Sequence, residues 1–297
     1  MRKRTLSRKI FDVCNVIFLS LLVVTMVLPY VNILAKAFND AEDTKMGGIV
    51  FWPRKPTLYN FQTVMGSDGF MRAVFVSVAR CLSGAGLALV VQFMAAYTFT
   101  HKDLIGRTGI LVYYMIPGYV GGGIITQYIL FSNLGLFNNF MLYILPGCFN
   151  MFEMVIIRTF INGLPKGLTE AAKLDGASDM GILLRIVIPL CKPIMATTLL
   201  WSVIAHWNDW STTFYFFTDE RLYTLSYLLM KVLKEAAAIQ EMIKSALMNG
   251  IILEIKSVTT EALQAAQVII TTAPIVFSYP FLQKYFIKGA VIGAIKD

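Results

Sequence analysis

Residues 161–192 read INGLPKGLTEAAKLDGASDMGILLRIVIPLCK and separate two long apolar stretches. A short helix is expected after Pro165, whose fixed φ suits a first helical position and whose missing N–H would lack a partner there anyway. Ala171 and Ala172 give that helix a small surface that permits close approach, with Leu168 near them at helical spacing. Gly176 suits the left-handed conformation that ends a helix, and Ser178 is placed to cap a second one. Pro189 and Pro193 then interrupt the chain. The segment reads as a helix-turn-helix, against the plainer alternative of any hairpin in a helical bundle.

Outward from this segment the chain is apolar. Of its 297 residues 57% are hydrophobic and 15% charged, against roughly 25% charged in soluble domains. Several stretches exceed the ~18 residues that cross a hydrocarbon core of ~30 Å. Six spans are expected, at about 13–35, 73–100, 109–131, 140–160, 193–217 and 263–286. The fold class is therefore all-α, a polytopic membrane helical bundle with the helix-turn-helix at about 161–192 facing the cytoplasm. No internal repeat, low-complexity run or second-domain boundary is visible, so residues 1–297 read as one transmembrane domain.

The first span starts like a signal peptide, with Arg2, Lys3 and Arg4 before it and Ala35-Lys36-Ala37 after it. Its apolar stretch exceeds the ~7–15 residues of a signal core, which favours a retained anchor. Lysine and arginine set the orientation. Arg2, Lys3, Arg4, Arg8 and Lys9 precede span one, Lys102 and Arg107 lie between spans two and three, and Lys166, Lys173, Arg185 and Lys192 lie in the 161–192 segment. These segments alternate with the rest, so they and both termini are expected in the cytoplasm. The net charge of +8 is then topology and not a sign of nucleic-acid binding.

Two outer segments are long. Residues 37–71 carry Trp52-Pro53 and Pro56 to Phe61, which suggest an ordered interfacial loop. Residues 218–262 hold Asp219, Glu220 and Arg221 and a helical-looking stretch from Leu222 to Leu233. Docking of an outside partner and simple covering of the bundle fit both equally. Cys14, Cys81, Cys148 and Cys191 share no short ligand spacing and read as small buried hydrophobes. His101 and His206 are too few and too separated for a metal site, and no metal is expected.

The spacing Glu170-Ala171-Ala172, three residues, Gly176, nine residues, Ile186, Ile188-Pro189 resembles the EAA signature of ABC-importer permeases. Ile188 stands where many such motifs have leucine, a conservative change. The resemblance implies that Glu170, Ala171, Ala172, Gly176 and Pro189 belong to a coupling loop lying against an ATPase subunit. It extends to Trp207-Asn208-Asp209-Trp210, to Gly121-Gly122-Gly123 before Gln127-Tyr128, and to Gln283 through Gly289 followed by Gly293-Ala294-Ile295-Lys296. These stretches look like carbohydrate-importer permeases, and more narrowly like those handling complex oligosaccharides, uronate-containing ones included. Asp297 replaces a common terminal glycine.

The family resemblance implies a second homologous permease subunit, two ATP-binding subunits and an extracytoplasmic solute-binding protein around this chain in a bacterial inner membrane. ATP and Mg would sit on the partner ATPases, with no cofactor on this chain. Consistently, the sequence has no G-x-x-x-x-G-K-[ST] loop to cradle nucleotide phosphates, and no nucleophile-base-acid arrangement is readable. The chain is not expected to be an enzyme.

Polar residues within spans are costly in hydrocarbon. Arg80, Glu153 and Asp209 are charged, and Gln127 and Asn208 are neutral. Structural pairing or snorkelling is favoured over substrate contact for Arg80 and Glu153. Trp207, Asn208 and Trp210 have aromatic faces and an amide that suit sugar CH and hydroxyl surfaces, with interface anchoring as the equal alternative. Gly121, Gly122 and Gly123, with Pro117 upstream, favour a bent or closely packed helix. A break at membrane depth needs protein or water to satisfy the freed backbone, so Gly122, Gln127 and Tyr128 join the candidate translocation path. The expected mechanism is alternating access, with ATPase closure pushing on Glu170 to Gly176. A permease of the same class for another solute, and more distantly an ion-coupled transporter or channel, are the alternatives; only the last would transport without an ATPase.

Overall fold

A computed structural model describes residues 6–248 and 261–294. Among them every named element is helical: α1 Leu6–Ala37, α2 Ala41–Lys45, α3 Tyr59–Met65, α4 Phe70–Thr98, α5 Arg107–Tyr119, α6 Gly123–Asn133, α7 Met151–Asn162 and α8 Lys166–Leu174. There follow α9 Asp179–Ile182, α10 Ile188–Leu190, α11 Lys192–Asn208, α12 Ser211–Phe216, α13 Leu225–Met248 and α14 Glu261–Ala294. The side chains of α14 are described as far as Phe277, so the carboxyl-terminal matches from Gln283 onward lie outside the described side chains.

Among the described residues, two helices are long and apolar enough to cross a bilayer unbroken, at Ser7–Ala37 and Phe70–Thr98. The apolar stretches expected as spans three to five are broken, and local chemistry explains each break. In the third, α5 and α6 meet at 113°, where Gly123 takes φ +71, a left-handed conformation open to glycine without steric cost. In the fourth, two short 3₁₀ turns at Phe140–Tyr143 and Leu145–Gly147 precede α7 and meet it at 48°. Asn150 sets the start of α7, accepting from the backbone N–H groups of Phe152 and Glu153 at 2.9 and 3.2 Å. The expected fifth stretch, 193–217, is not one helix. It parts after Asn208 because the Asp209 carboxylate accepts from the Thr212 N–H at 3.1 Å and the Ser211 hydroxyl at 2.7 Å, a local turn that competes with helix continuation. Counting each bent pair as one span gives up to five.

The chain divides into two compact units. The first holds residues 1–70 and 229–273. In its α1 none of the apolar window is buried, while Ala35 and Ala37 at its end are. The loop after α1 is ordered around amides, as its prolines and aromatics suggested. Asn39 is fully buried; its nitrogen donates to Asp43 and Thr44 at 3.0 and 2.9 Å, and its oxygen accepts from the Lys55 N–H at 2.8 Å. Asn60 donates to the carbonyls of Ala37 and Asn39 at 2.9 and 2.7 Å, and Arg54 reaches the Asp43 carboxylate at 3.0 Å. The Asn39 hydrogen bond and, after it, the nearby Arg54 hold the Asp43 carboxyl below its ordinary range against the opposing effect of burial.

The second unit holds residues 71–228 and 274–297. Its main core joins α4, α7 and the chain from α9 to Cys191 through Phe93, Ala96, Phe99, Met154, Ile157, Ile161, Ile182, Leu183, Val187 and Cys191. A second core gathers Val76, Leu142, Tyr143, Ile144, Phe216 and Phe217, with Tyr143 stacked on Phe217 at 4.2 Å between ring centroids. Both candidate sites lie in this unit.

Candidate functional sites

The 161–192 segment forms a helix, a tight turn and a second short helix. Helix α8 begins at Lys166, so Pro165 is the residue just before the helix, with ψ 115, and not its first helical position. At the other end the Ala177 N–H reaches the Ala172 carbonyl at 2.9 Å and the Gly176 N–H reaches Lys173 at 3.1 Å. This is the paired closure of a Schellman motif, and it places Gly176 at the left-handed position with φ +78. Ser178 then accepts from the Gly181 N–H at 3.2 Å and caps α9.

The chain does not continue as regular helix beyond α9. Leu183–Val187 form a π turn in which the Ile188 N–H bonds back to Leu183. Pro189 lies directly after it and has no N–H to offer the Arg185 carbonyl, a local reason for the altered winding. At Cys191 the axis then bends by 80° into α11. Ala172 packs against the main core, whereas Glu170, Ala171, Gly176 and Pro189 are exposed. Glu170 and Lys173 line a groove of about 440 Å³ shared with Tyr97, Thr100 and His101 at the end of α4. Asp179 ties this edge together, 3.6 Å from Lys173 and 3.7 Å from His101.

A second site is a polar chamber of about 380 Å³ lined by residues of α4, α7, α11 and the Leu142–Asn150 turns, with Thr212 of α12 at its end. Arg80 of α4 is buried. Its guanidinium pairs with the Asp209 carboxylate, donates to the Asp209 carbonyl at 2.9 Å, and lies 4.5 Å from the Tyr143 ring centroid. The expected structural pairing of Arg80 is therefore what the geometry shows. Glu153 accepts a hydrogen bond from the Ser202 hydroxyl at 3.3 Å, and Gln92 lines the same wall. The His206 ring lies against two glycines. A Cβ added to Gly84 would sit 2.5 Å from its Nε2, and one added to Gly147 would sit 3.3 Å from its Cε1.

The sequence pointed to Arg80, Glu153 and Asp209 but passed over Gln92 and Tyr143, and considered His206 only as a metal ligand. Gln92 was findable, because an amide within an apolar span is unusual enough to suggest a partner or a cavity. Tyr143 and the two glycines carry no such signal, since their roles depend on which helix lies opposite.

The six candidate path residues do not gather around the chamber. Gly122 and Gln127 are exposed on α6 and its start, while Tyr128 packs its ring against Phe137 at 4.8 Å and Phe216 at 6.3 Å. Trp207 is buried, its carbonyl accepts from the Ser226 hydroxyl, and it borders a separate apolar pocket with Val78, Cys81, Val203 and Pro274. Asn208 is exposed, and Trp210 meets Phe214 edge to face at 5.9 Å.

Known proteins bear on this geometry. A family model described as binding-protein-dependent transport system inner membrane component matches residues 1–291. The chain is 30% identical to Protein LplC of Bacillus subtilis (strain 168), covering 98% of this chain and 97% of that protein. It is 28% identical to the polygalacturonan/rhamnogalacturonan transport system permease protein YtcP of the same strain, over 98% of this chain and 100% of the relative. It is 25% identical to the arabinooligosaccharides transport system permease protein AraQ of Halalkalibacterium halodurans (strain ATCC BAA-125 / DSM 18197 / FERM 7344 / JCM 9153 / C-125), over 91% of each. Among solved structures, a chain of a bacterial ABC transporter involved in the import of the acidic polysaccharide alginate superposes with a TM-score of 0.84 at 22% identity, covering 96% of this chain and 100% of that one. At that identity the likeness concerns the fold. With a match that runs nearly end to end, this chain belongs to the family of inner membrane components of binding-protein-dependent transport systems.

Proposed function

We propose that this chain is the permease subunit that forms half of the translocation path for an oligosaccharide, uronate-containing or neutral, delivered by an extracytoplasmic binding protein. The observation that carries the cargo is that relatives aligned over 91–98% of this chain are named for polygalacturonan or rhamnogalacturonan and for arabinooligosaccharides. A component of such a system works with a binding protein and with ATPase subunits. In our reading the complex holds a second homologous permease and two ATP-binding subunits, which carry the ATP and Mg, and this chain binds no cofactor of its own.

We read residues 1–297 as one transmembrane domain with six membrane segments, three of them broken, and with both termini in the cytoplasm. The segment from Glu170 to Pro189 is the ATPase contact. Support comes from its shape: Gly176 ends α8 through backbone bonds alone, which leaves Glu170 and Ala171 exposed to a partner, while Ala172 rests on the core that continues into α4 and α7. A push on α8 would thus be passed to those helices as a rigid displacement. Gly122, Gln127, Tyr128, Asn208 and Trp210 are partly or fully exposed in this chain, so they are available to a path completed by the second permease. Trp207, being buried, would support that wall from behind.

The test is uptake of radiolabelled arabinotriose, maltotriose and trigalacturonate by cells lacking this subunit, with and without its restoration. Restored, ATP-dependent uptake of at least one of the three is expected. Transport of none of them, alongside restored uptake of a peptide or an inorganic ion, would refute the carbohydrate assignment.

A further inference from the structure

Arg107 opens α5 and Arg158 stands near the end of α7. The two helices pack on one another, with Leu104 and Leu111 resting on the core that holds Ile157 and Ile161 on either side of Arg158. That packing brings the two guanidinium groups close enough for their charges to repel. Among the described residues no carboxylate answers them, since neither guanidinium has an ion pair or a hydrogen bond. Of the acids on neighbouring elements, Asp179 is shared by Lys173 and His101, Glu153 accepts from Ser202, and Asp103 is exposed in the loop before α5.

The two side chains differ in which atoms they leave available. Arg158 Nε is enclosed, without a partner and out of reach of any ligand. Its two terminal nitrogens are equally unpartnered but keep accessible surface, as do all three side-chain nitrogens of Arg107. The stem of Arg158 is thus anchored while the planar end of its fork stays open beside a second cation. Two like charges held together in this way are unfavourable unless an anion joins them. The start of α5 adds to the same positive field, because Gly106 has no side chain to cap its first N–H groups.

The surroundings select among anions. Guanidinium forks match the oxygens of phosphate and of carboxylate. Beside them the surface is apolar: Ile105, two residues before Arg107, is 92% exposed, and Val112 and Tyr113 of α5 are exposed as well. A small inorganic anion would neutralise the arginines and leave that apolar surface bare, whereas an amphiphile covers both. Arg107 also belongs to the basic segments expected on the cytoplasmic side, where anionic lipids give the leaflet its negative surface potential.

We infer that Arg107 and Arg158 form a binding site for the phosphodiester headgroup of an anionic phospholipid, whose acyl chains lie along the exposed apolar side chains of α5. The site lies apart from the proposed cargo, and its test reads no transport.

The test uses the complete transporter complex in phosphatidylcholine nanodiscs containing a photoactivatable lipid, either phosphatidylglycerol or phosphatidylcholine, with the labelled peptides identified by mass spectrometry. Phosphatidylglycerol should label the stretch from Ile105 to Tyr113 far more than phosphatidylcholine does. That labelling should fall about tenfold in Arg158→Gln, as for loss of a charge-assisted hydrogen bond. Arg107→Gln, which alters a guanidinium with no enclosed atom, should lower it similarly and covers the case in which Arg158→Gln fails to assemble. Unchanged labelling in the assembled variants, or equal labelling by the two lipids, would overturn the inference. Displacement of phosphatidylglycerol by inorganic phosphate would make this a site for a free anion and overturn the headgroup assignment. Loss of the ATPase subunits from either variant, with lipid labelling unchanged, would assign the arginines to carboxylates of a partner protein and overturn it as well.

Discussion

The 161–192 segment and the polar chamber belong to the same compact unit yet are held in opposite ways. In the segment, the bonds that set the shape join residues three to five apart: Gly176 to Lys173, Ala177 to Ala172 and Gly181 to Ser178. In the chamber the bonds join residues 49 apart, Ser202 to Glu153, and 129 apart, Arg80 to Asp209. The difference teaches that the segment can keep its shape while being pushed as a body, whereas the chamber exists only while four helices hold their packing. A mutation should therefore damage function in the first and stability in the second.

The largest loss is expected from Asp209→Ala. It leaves a guanidinium side chain of 4% exposure without its counter-charge, at a cost of about 3–5 kcal/mol. The purified complex should melt earlier or fail to accumulate, and the double variant Arg80→Met with Asp209→Leu should recover most of the loss. A single variant as stable as the unsubstituted protein would show that the pair does not hold the chamber.

Next comes Gly84→Ala. The added carbon would sit 2.5 Å from His206 Nε2, and relieving that overlap should cost about 1–3 kcal/mol. His206→Ala in the same chain should restore the melting temperature, because the three atoms nearest the added carbon all belong to that ring. Failure of the second substitution to help would relocate the strain to the backbone.

Gly176→Val tests the other side of the comparison. A β-branched residue at φ +78 costs about 1–2 kcal/mol or more locally, which is small beside the expected functional effect. Membrane insertion should be normal, ATP hydrolysis should continue, and uptake should be lost. Normal uptake in this variant would remove the coupling role from the segment.

The smallest effect is expected in the loop after α1, where Arg54 and Asp43 make an ion pair only 11 residues apart. The folded-state pKa of Asp43 is lowered, so its contribution is present above the unfolded value of about 3.9 and is lost as pH falls through the folded one. Asp43→Asn should lower the melting temperature slightly at pH 6 and not at all at the acid end, below the lowered folded-state pKa of Asp43. A constant difference across that range would mean that shape, and not charge, is what Asp43 supplies.

Much of the fold could be read in the sequence because its signals are local. Gly176 and Ser178 stop and restart a helix within five residues, and the glycines before Gln127 announced a bend. The angle of that bend, 113°, was not legible, since Gly123 permits many directions and packing chooses one. The break after Asn208 was missed because an apolar run from Pro193 to Phe217 looks continuous until Asp209 is seen capping the next turn. In the chamber the individual polar residues were visible, but their pairing was not. Nothing local to Arg80 indicates that its partner is Asp209 and not Glu153.

By itself the sequence determined a mostly helical, apolar chain, the helix-turn-helix between Pro165 and Pro189, and the ordered loop around Trp52 to Phe61. These follow from composition and from backbone preferences within a few residues of one another. The tertiary structure alone decided the angles at which three apolar stretches bend, that His206 lies between Gly84 and Gly147, and that Arg80 pairs with Asp209. The physical reason is range: caps and turns act between neighbours in the chain, whereas burial, ion pairing and cavities depend on which helices come to lie side by side.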